Sequence, residues 1–329
     1  VAELRRHPVS GEWVVICPER NRLISNDHTD GCVYCPGNEE RTGHEILRVT
    51  DNGSSCGSDW KVRVVAASPP LFHVEGDFRK QAVDICDRME AIGAHEVVVE
   101  SPDHKSGLED LDDAQVYRVL DALRTRAGDL GRDARLRQVL MFRVATTDPG
   151  QASHPRWHIV AAPFVPVLIK QELNGARRYY SYKERCAICD YIRGEKRMKT
   201  RVIAEDTHAI AISPYAARFP YEVWIMPSRH SPDFRTISPD EVSSLGRLLR
   251  RLARALKRLP DSTGYLLSIH TAPYRKPKAG AWDTIELDYH WHIQMRPRMD
   301  LLNGLKESGG FHLNPITPEE AARAISEFC

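Results

Sequence analysis

Two halves of this chain carry the same landmarks at matching spacings, and that internal repeat limits the fold more than any other feature. Cys32 and Cys35 recur as Cys186 and Cys189, close to half of the 329 residues further on. Glu96 and Val97 precede His104 as Glu222 and Val223 precede His230. After each histidine an apolar residue follows four positions on (Leu108, Phe234), another seven on (Leu111, Ile237), and valine twelve on (Val116, Val242). Self-similarity of this kind marks one structural unit used twice, although overall identity between the halves is low.

The elements around the landmarks correspond as well. The β-branched and aromatic runs His95 to Glu100 and Tyr221 to Met226 predict strands. An amphipathic helix follows each. The first begins near Asp112 and runs through Val116, Leu120 and Leu123; the second begins at the capping signal Ser238-Pro239-Asp240-Glu241 and runs to about Leu259. In the second, Leu245, Leu248, Leu249, Leu252 and Leu256 make one face, and its arginines lie largely off it as a solvated face. Strands Gln138 to Thr146 and Gly264 to Thr271 come next. Each half then ends in a histidine-rich strand, Ser153 to His158 and Tyr289 to Gln294. The pattern predicts an α+β fold of two half-domains, each with antiparallel sheet and a long helix. We divide it into a first repeat, 1–175, and a second, 176–329.

Each half also supplies two cysteines from a tight turn, one histidine after the middle strand and one at the start of the last strand. Tetrahedral zinc takes four such ligands, and a site closed by protein on all sides is structural. The predicted sets are Cys32, Cys35, His104 and His154, and Cys186, Cys189, His230 and His290, giving two structural Zn²⁺ ions per chain, with His73 and His95 as alternative histidine ligands.

Composition supports metal over disulfide. With 46 Lys and Arg against 45 Asp and Glu, the net charge of +1 gives no global field for nucleic acid or an anionic membrane. No nucleic-acid or membrane partner is expected, and any bound anion must be gripped locally. No run of about 18 apolar residues exists, and the amino-terminal Val-Ala-Glu-Leu-Arg-Arg lacks a signal peptide's apolar core. A soluble, cytoplasmic protein is expected, in which Cys-x-x-Cys reads as a metal motif. The segment Tyr274 to Trp282, with Arg275, Lys276 and Lys278, reads as a solvated charged loop.

Alternate residues of a strand share a face, so His290, His292 and Gln294 project together. A neutral imidazole held there is a candidate nucleophile towards phosphorus. A glutamine two positions on can donate its amide to a phosphoryl oxygen.

At this point the sequence resembles the galactose-1-phosphate uridylyltransferase family of the histidine-triad superfamily over nearly its whole length. The resemblance rests on Arg5-Arg6-His7-Pro8 through Gly11-Glu12-Trp13-Val14-Val15, Cys32-Val-Tyr-Cys-Pro-Gly-Asn38 and Ser101-Pro102-Asp103-His104. Arg218-Phe219-Pro220-Tyr221-Glu222-Val223-Trp224 and His290-Trp291-His292-Ile293 add to it. It implies a homodimer of two-repeat subunits that binds a nucleotide sugar and a sugar phosphate. It also implies double displacement, in which a first-repeat histidine attacks the α-phosphorus and a nucleotidyl-histidine forms. Arg5, Arg6 and Arg20 become candidate phosphate contacts.

The family's first-repeat strand reads His-Pro-His-x-Gln, whereas this chain reads His154-Pro155-Arg156-Trp157-His158. Arg156 occupies the nucleophile's position and cannot form the intermediate, because it stays protonated. His158 stands where the glutamine belongs. Val144 and Ala67 replace two asparagines. In the second repeat, Gln294 replaces the relatives' glutamate and makes a His-x-His-x-Gln strand. Chemistry therefore rests on His292 with Gln294, or on His158 beside a phosphate clamp at Arg156, unless His292 and Gln294 only support the sheet. The expected function is nucleotidyl transfer between a nucleoside diphosphate sugar and a sugar 1-phosphate. A non-covalent hydrolase or transferase of a phosphorylated metabolite, and a silent nucleotide or sugar-phosphate binder, are the alternatives.

Overall fold

Strands from both halves lie side by side in one sheet. The computed structural model describes residues 2–23, 31–51, 59–76, 79–146, 153–259, 264–274, 282–298 and 309–329. Arg275, Lys276 and Lys278 of the charged loop fall outside them.

In the first half, β3 (Glu45–Val49), β4 (Val62–Ala66), β7 (Ala94–Val99), β8 (Gln138–Thr146) and β9 (Arg156–Ala162) join in the order β3-β4-β7-β9-β8. In the second, β10 (Val202–Asp206), β11 (Ala209–Ile212), β12 (Val223–Pro227), β13 (Gly264–His270) and β14 (His292–Pro297) join in the mirrored order β13-β14-β12-β11-β10. Antiparallel pairing of β8 with β13, from Gly264 opposite Thr146 to Ile269 opposite Met141, fuses the halves into ten strands. The repeat predicts a sheet in each half; the structure adds that the two sheets are continuous. An edge left open by one repeat is closed by the other, which removes two unpaired edges.

Helices α1 (Asp113–Leu130) and α4 (Pro239–Lys257) lie together on one face of this sheet. Asp112 caps α1 by accepting from Gln115 N, and Ser238 with Glu241 forms a reciprocal capping box on α4. Val116, Leu120 and Leu123 of α1 share a buried cluster with Leu245, Leu248 and Leu252 of α4 and with Val98, Met141, Leu267 and Ile293 of the sheet. Gly246 lets the helices approach, since a Cβ there would stand 3.2 Å from Val116 Cγ1.

A second, four-stranded sheet was not foreseen. It joins β1 (Glu3–Arg6), β2 (Trp13–Ile16), β5 (Gln81–Val83) and β6 (Cys86–Glu90) in the order β2-β1-β6-β5. Leu4 and Met89 from it pack with Val160 and Ala162 on the other face of the large sheet. Its strands are short and half exposed, so their hydrophobic alternation is weak. Between the repeats run α2 (Val167–Lys183) and α3 (Ala187–Met198), and position 175 lies inside α2. A short turn α5 (Ile285–Asp288) precedes His290, and α6 (Pro318–Ser326) closes the chain over β10. No helix among the described residues is long and apolar enough to cross a membrane.

Candidate metal centres and the first-repeat anion site

The repeat brings each Cys-x-x-Cys turn against its two histidines. The ligand atoms of Cys32, Cys35, His104 and His154 lie within 4.8 Å of one another, as do those of Cys186, Cys189, His230 and His290. In the first group, Nδ1 of His154 is 3.8 and 3.7 Å from the two sulfurs, and Nδ1 of His104 is 3.4 Å from Cys35 Sγ. In the second the matching separations are 3.9, 3.5 and 3.4 Å. Zn–S bonds of about 2.3 Å and Zn–N bonds of about 2.0 Å at tetrahedral angles set sulfur and nitrogen about 3.5 Å apart. Both groups are therefore shaped to hold a metal. Their outer nitrogens are spoken for: His154 Nε2 bonds Ser101 O, His290 Nε2 bonds Pro227 O, and His230 Nε2 bonds Glu286 O. Such bonds orient a ligating imidazole. His154 and His290 sit just ahead of β9 and β14, so their side chains turn to the metal group while the strands begin two residues later.

The first-repeat turn also builds the neighbouring surface. Tyr34, inside the Cys-x-x-Cys turn, lies beneath the Arg156 guanidinium, 5.3 Å from Cζ to the ring centroid. Arg156 Nη1 donates to His154 O at 3.0 Å, while its Nε is buried with no hydrogen-bond partner among the described residues. An orphaned, buried cationic donor calls for an anionic acceptor.

His158 shares this face of β9 and stacks on Phe142 at 5.2 Å and 18°. Its Nδ1 is 3.1 Å from His95 Nε2, and His95 Nδ1 faces Leu71 N at 3.3 Å and Arg20 Nη2 at 3.4 Å. Arg20 is itself fixed by two bonds to Pro69 O. Burial, then Arg156 and Arg20, pushes His158 down to about 4; burial, then His158 and Arg20, pushes His95 down to about 3. Both rings are neutral at pH 7.

Arg5 and Arg6 are placed elsewhere. They lie exposed on β1 and pair with Glu3 and Asp87. Arg6 opens on a cavity of about 1320 Å³ with Trp13, Arg137 and Phe164, at the opposite end of β9 from Arg156. Among the described residues no contact joins either to Arg156 or His158. Of the three amino-terminal arginines, Arg20 alone reaches this face.

His292 and Gln294 are enclosed. The His292 ring is 2% exposed and lies between Trp224 and His270, each 4.9 Å away and nearly parallel. Its Nδ1 faces His290 O at 3.3 Å and its Nε2 accepts from Gln294 Nε2 at 3.2 Å. Arg218 donates to Gln294 Oε1 at 2.6 Å and pairs with Glu222. Burial and the adjacent His270 push His292 down to about 4. A nucleophile needs an open nitrogen, and both of these are taken by the protein.

Sequence reasoning missed three participants. His95, an alternative metal ligand by sequence, lies in neither metal group and shows its place beside His158 only through strand register: Val97 stands opposite His158, so His95 is its diagonal neighbour on the same face. Glu172, from α2, bonds His270 Nδ1 at 2.9 Å, and the ligand atoms of Glu172, His270 and His292 gather within 4.8 Å. Nothing local marks Glu172, because α2 lies far from β13 in sequence. Tyr34 is visible as the aromatic of the metal turn, but its partner Arg156 is not.

A ten-stranded sheet made from two mirrored units, each with a Cys₂His₂ group beside its histidine strand, defines a two-repeat histidine-triad protein. Residues 172–299 match the family described as galactose-1-phosphate uridyl transferase, C-terminal domain. The chain is 27% identical to ADP-glucose phosphorylase of Arabidopsis thaliana, over 99% of this chain and 92% of that protein. It is also 27% identical to galactose-1-phosphate uridylyltransferase of Thermotoga maritima, over 99% and 98%. The crystal structure of the Arabidopsis thaliana ADP-glucose phosphorylase with bound ADP-glucose superimposes with a TM-score of 0.77 at 26% identity, covering 99% of this chain and 98% of that one. Residues 172–299 thus match the family's C-terminal domain, and over nearly its whole length the chain is similar in sequence and fold to galactose-1-phosphate uridylyltransferases and their ADP-glucose phosphorylase relative.

Proposed function

We propose that this protein transfers a nucleotidyl group between a nucleoside diphosphate sugar and a phosphate acceptor, either a sugar 1-phosphate or inorganic phosphate. The observation that carries the reading is the buried, unpartnered Nε of Arg156 beside His158, on the strand where the family resemblance puts the transfer chemistry. Relatives named for uridylyl transfer and for ADP-glucose phosphorolysis support the substrate class. Arg156 and Arg20 supply the positive charge for the phosphates and Tyr34 holds Arg156 in place. The reading includes zinc in both Cys₂His₂ groups, where it acts as a structural staple, in repeats 1–175 and 176–329. A cytoplasmic homodimer completes it.

A direct route is favoured over a nucleotidyl-enzyme by two observations: Arg156 stands in the nucleophile's position, and His292 has neither ring nitrogen open. In that route an oxygen of the acceptor phosphate attacks the α-phosphorus. The bond from that phosphorus to the bridging oxygen breaks, and the sugar 1-phosphate leaves with the electron pair.

The test incubates the purified protein with ADP-glucose or UDP-glucose and either phosphate or galactose 1-phosphate, and separates the products by chromatography. Exchange that falls at least tenfold in Arg156→Ala supports the reading. No turnover and no binding of any nucleotide sugar would remove it. Intact-mass analysis of the same mixtures, with His158→Ala and His292→Ala, decides between the covalent and direct routes.

A further inference from the structure

We infer that His95 locks His158 as a hydrogen-bond donor, with its proton on Nε2, so that His158 grips a phosphoryl oxygen and does not attack phosphorus. This inference rests on the functional reading above for the identity of the anion, but its first half stands on hydrogen-bond direction alone.

The chain of donors begins at the backbone. Leu71 N–H can only donate, and so can the Arg20 guanidinium; both face His95 Nδ1, at 3.3 and 3.4 Å. That nitrogen therefore accepts and carries no proton. A neutral His95 must then hold its proton on Nε2, which is 3.1 Å from His158 Nδ1. His158 Nδ1 accepts in turn, and the proton of a neutral His158 is left on Nε2.

The second-atom bond thus sets the tautomer, and the protein makes no other arrangement easy. Protonating His158 on Nδ1 would point two N–H groups at each other across 3.1 Å. Arg156 and Arg20 add positive charge around the same ring, and burial discourages a third cation. Among the described residues nothing bonds His158 Nε2.

Attack on phosphorus requires a bare ring nitrogen with its lone pair towards the substrate. The outward nitrogen here is an N–H. With the orphaned Nε of Arg156 on the same face of β9, these two side chains present donors and no acceptor. That composition suits a phosphoryl oxygen bearing negative charge. The donor that a glutamine side chain would supply at this position is supplied by an imidazole, provided His95 fixes its tautomer. His95 is a positioning residue, acting through His158.

Long-range ¹⁵N–¹H correlation spectra of the full chain labelled in histidine nitrogen read the tautomer without any ligand. At pH 7 a single neutral Nε2–H form of His158 is expected, giving way to a mixture in His95→Phe. A neutral Nδ1–H form in the wild type would overturn the inference.

Binding of ADP-glucose and UDP-glucose provides the second arm. His158→Ala should weaken binding about tenfold or more, the scale of one hydrogen bond to a charged group, while His158→Gln keeps a donor and stays within about threefold. His95→Phe should weaken binding severalfold, and His95→Phe/His158→Gln should recover it, because an amide needs no tautomer set for it. A merely structural role for His95 would leave the double variant as weak as the single. Equal losses in His158→Gln and His158→Ala, or a nucleotide mapped to His158, would overturn the donor role. If the wild type binds neither nucleotide sugar, the functional reading and the donor role both fall, and the ligand-free spectrum still decides what His95 does.

Discussion

The Nε2 atoms of His154 and His290 are held in the same way, each bonded to the carbonyl three residues ahead of the other histidine in its group, Ser101 at 2.7 Å and Pro227 at 3.1 Å. Two independent sites with the same outer bond and the same sulfur–nitrogen spacings point to the same occupant. Purified protein is expected to carry two zinc ions per chain by elemental analysis. Cys189→Ser should lower that to one and destabilise the fold by about 4 kcal/mol or more, the scale of losing a structural metal. Zinc that stays at two per chain in Cys189→Ser and Cys35→Ser would remove the assignment.

Where the halves join, Arg143 of β8 pairs with Glu100 just beyond β7, and Arg143 Nη1 also donates to Tyr265 of β13 at 3.1 Å. Glu100 is 0% and Arg143 2% exposed. Breaking a buried pair leaves one charge without compensation, which costs about 3 to 5 kcal/mol, whereas replacing both partners by apolar side chains is often close to neutral. Urea denaturation should show that loss for Glu100→Leu alone, and most of it regained in Glu100→Leu/Arg143→Met. An additive double variant would show that the two side chains do not act as a pair.

Much of this architecture could be read from the chain. The Cys-x-x-Cys turns, the histidine spacings and the capping box at Ser238 are local signals, and each maps to a local structure. The small sheet was hidden because β1, β2, β5 and β6 are three to five residues long and half exposed, so no burial period marks them. The site was legible in its members but not in their exposure. Strand alternation puts His292 and Gln294 on one face, yet what covers that face comes from Trp224, His270 and Arg218 on other elements. For the same reason His95 gains its meaning only when β7 and β9 are paired.

His95 and His158 make the fold acid-sensitive. Unfolded, each takes up a proton near the ordinary value of 6.5; folded, they are held down to about 3 and about 4. Between those limits the unfolded chain binds more protons, so stability is fully present above pH 6.5 and is lost as pH falls through 4 towards 3. A histidine that titrates only when unfolded contributes about 1.4 kcal/mol per pH unit in that window. His158→Gln should reduce the pH slope of unfolding free energy between pH 6 and 5 by about that amount. The other buried imidazoles are common to both proteins, and His95, which burial pushes down more than His158 does, keeps most of its own slope. Identical slopes would mean that the ring titrates normally in the folded state.

The position of Arg156 permits a gain-of-chemistry test. Arg156→His with His158→Gln writes His-Pro-His-x-Gln into the first-repeat strand, leaving His154 in its metal group and Trp157, 1% exposed, in the core. The new imidazole would project from the start of β9 over Tyr34, where the guanidinium lies now. Its neighbour at 158 would donate an amide hydrogen whatever His95 does. If nucleotide sugars present their α-phosphorus at this face, the double variant should gain an acid-labile mass increment of one nucleoside monophosphate on incubation with ADP-glucose or UDP-glucose. The wild type should show none. An adduct in the wild type would mean that another residue attacks, and peptide mapping would name it. Binding without an adduct in the double variant would place the transferred phosphorus away from Arg156 and move the search for the reacting face to the second repeat.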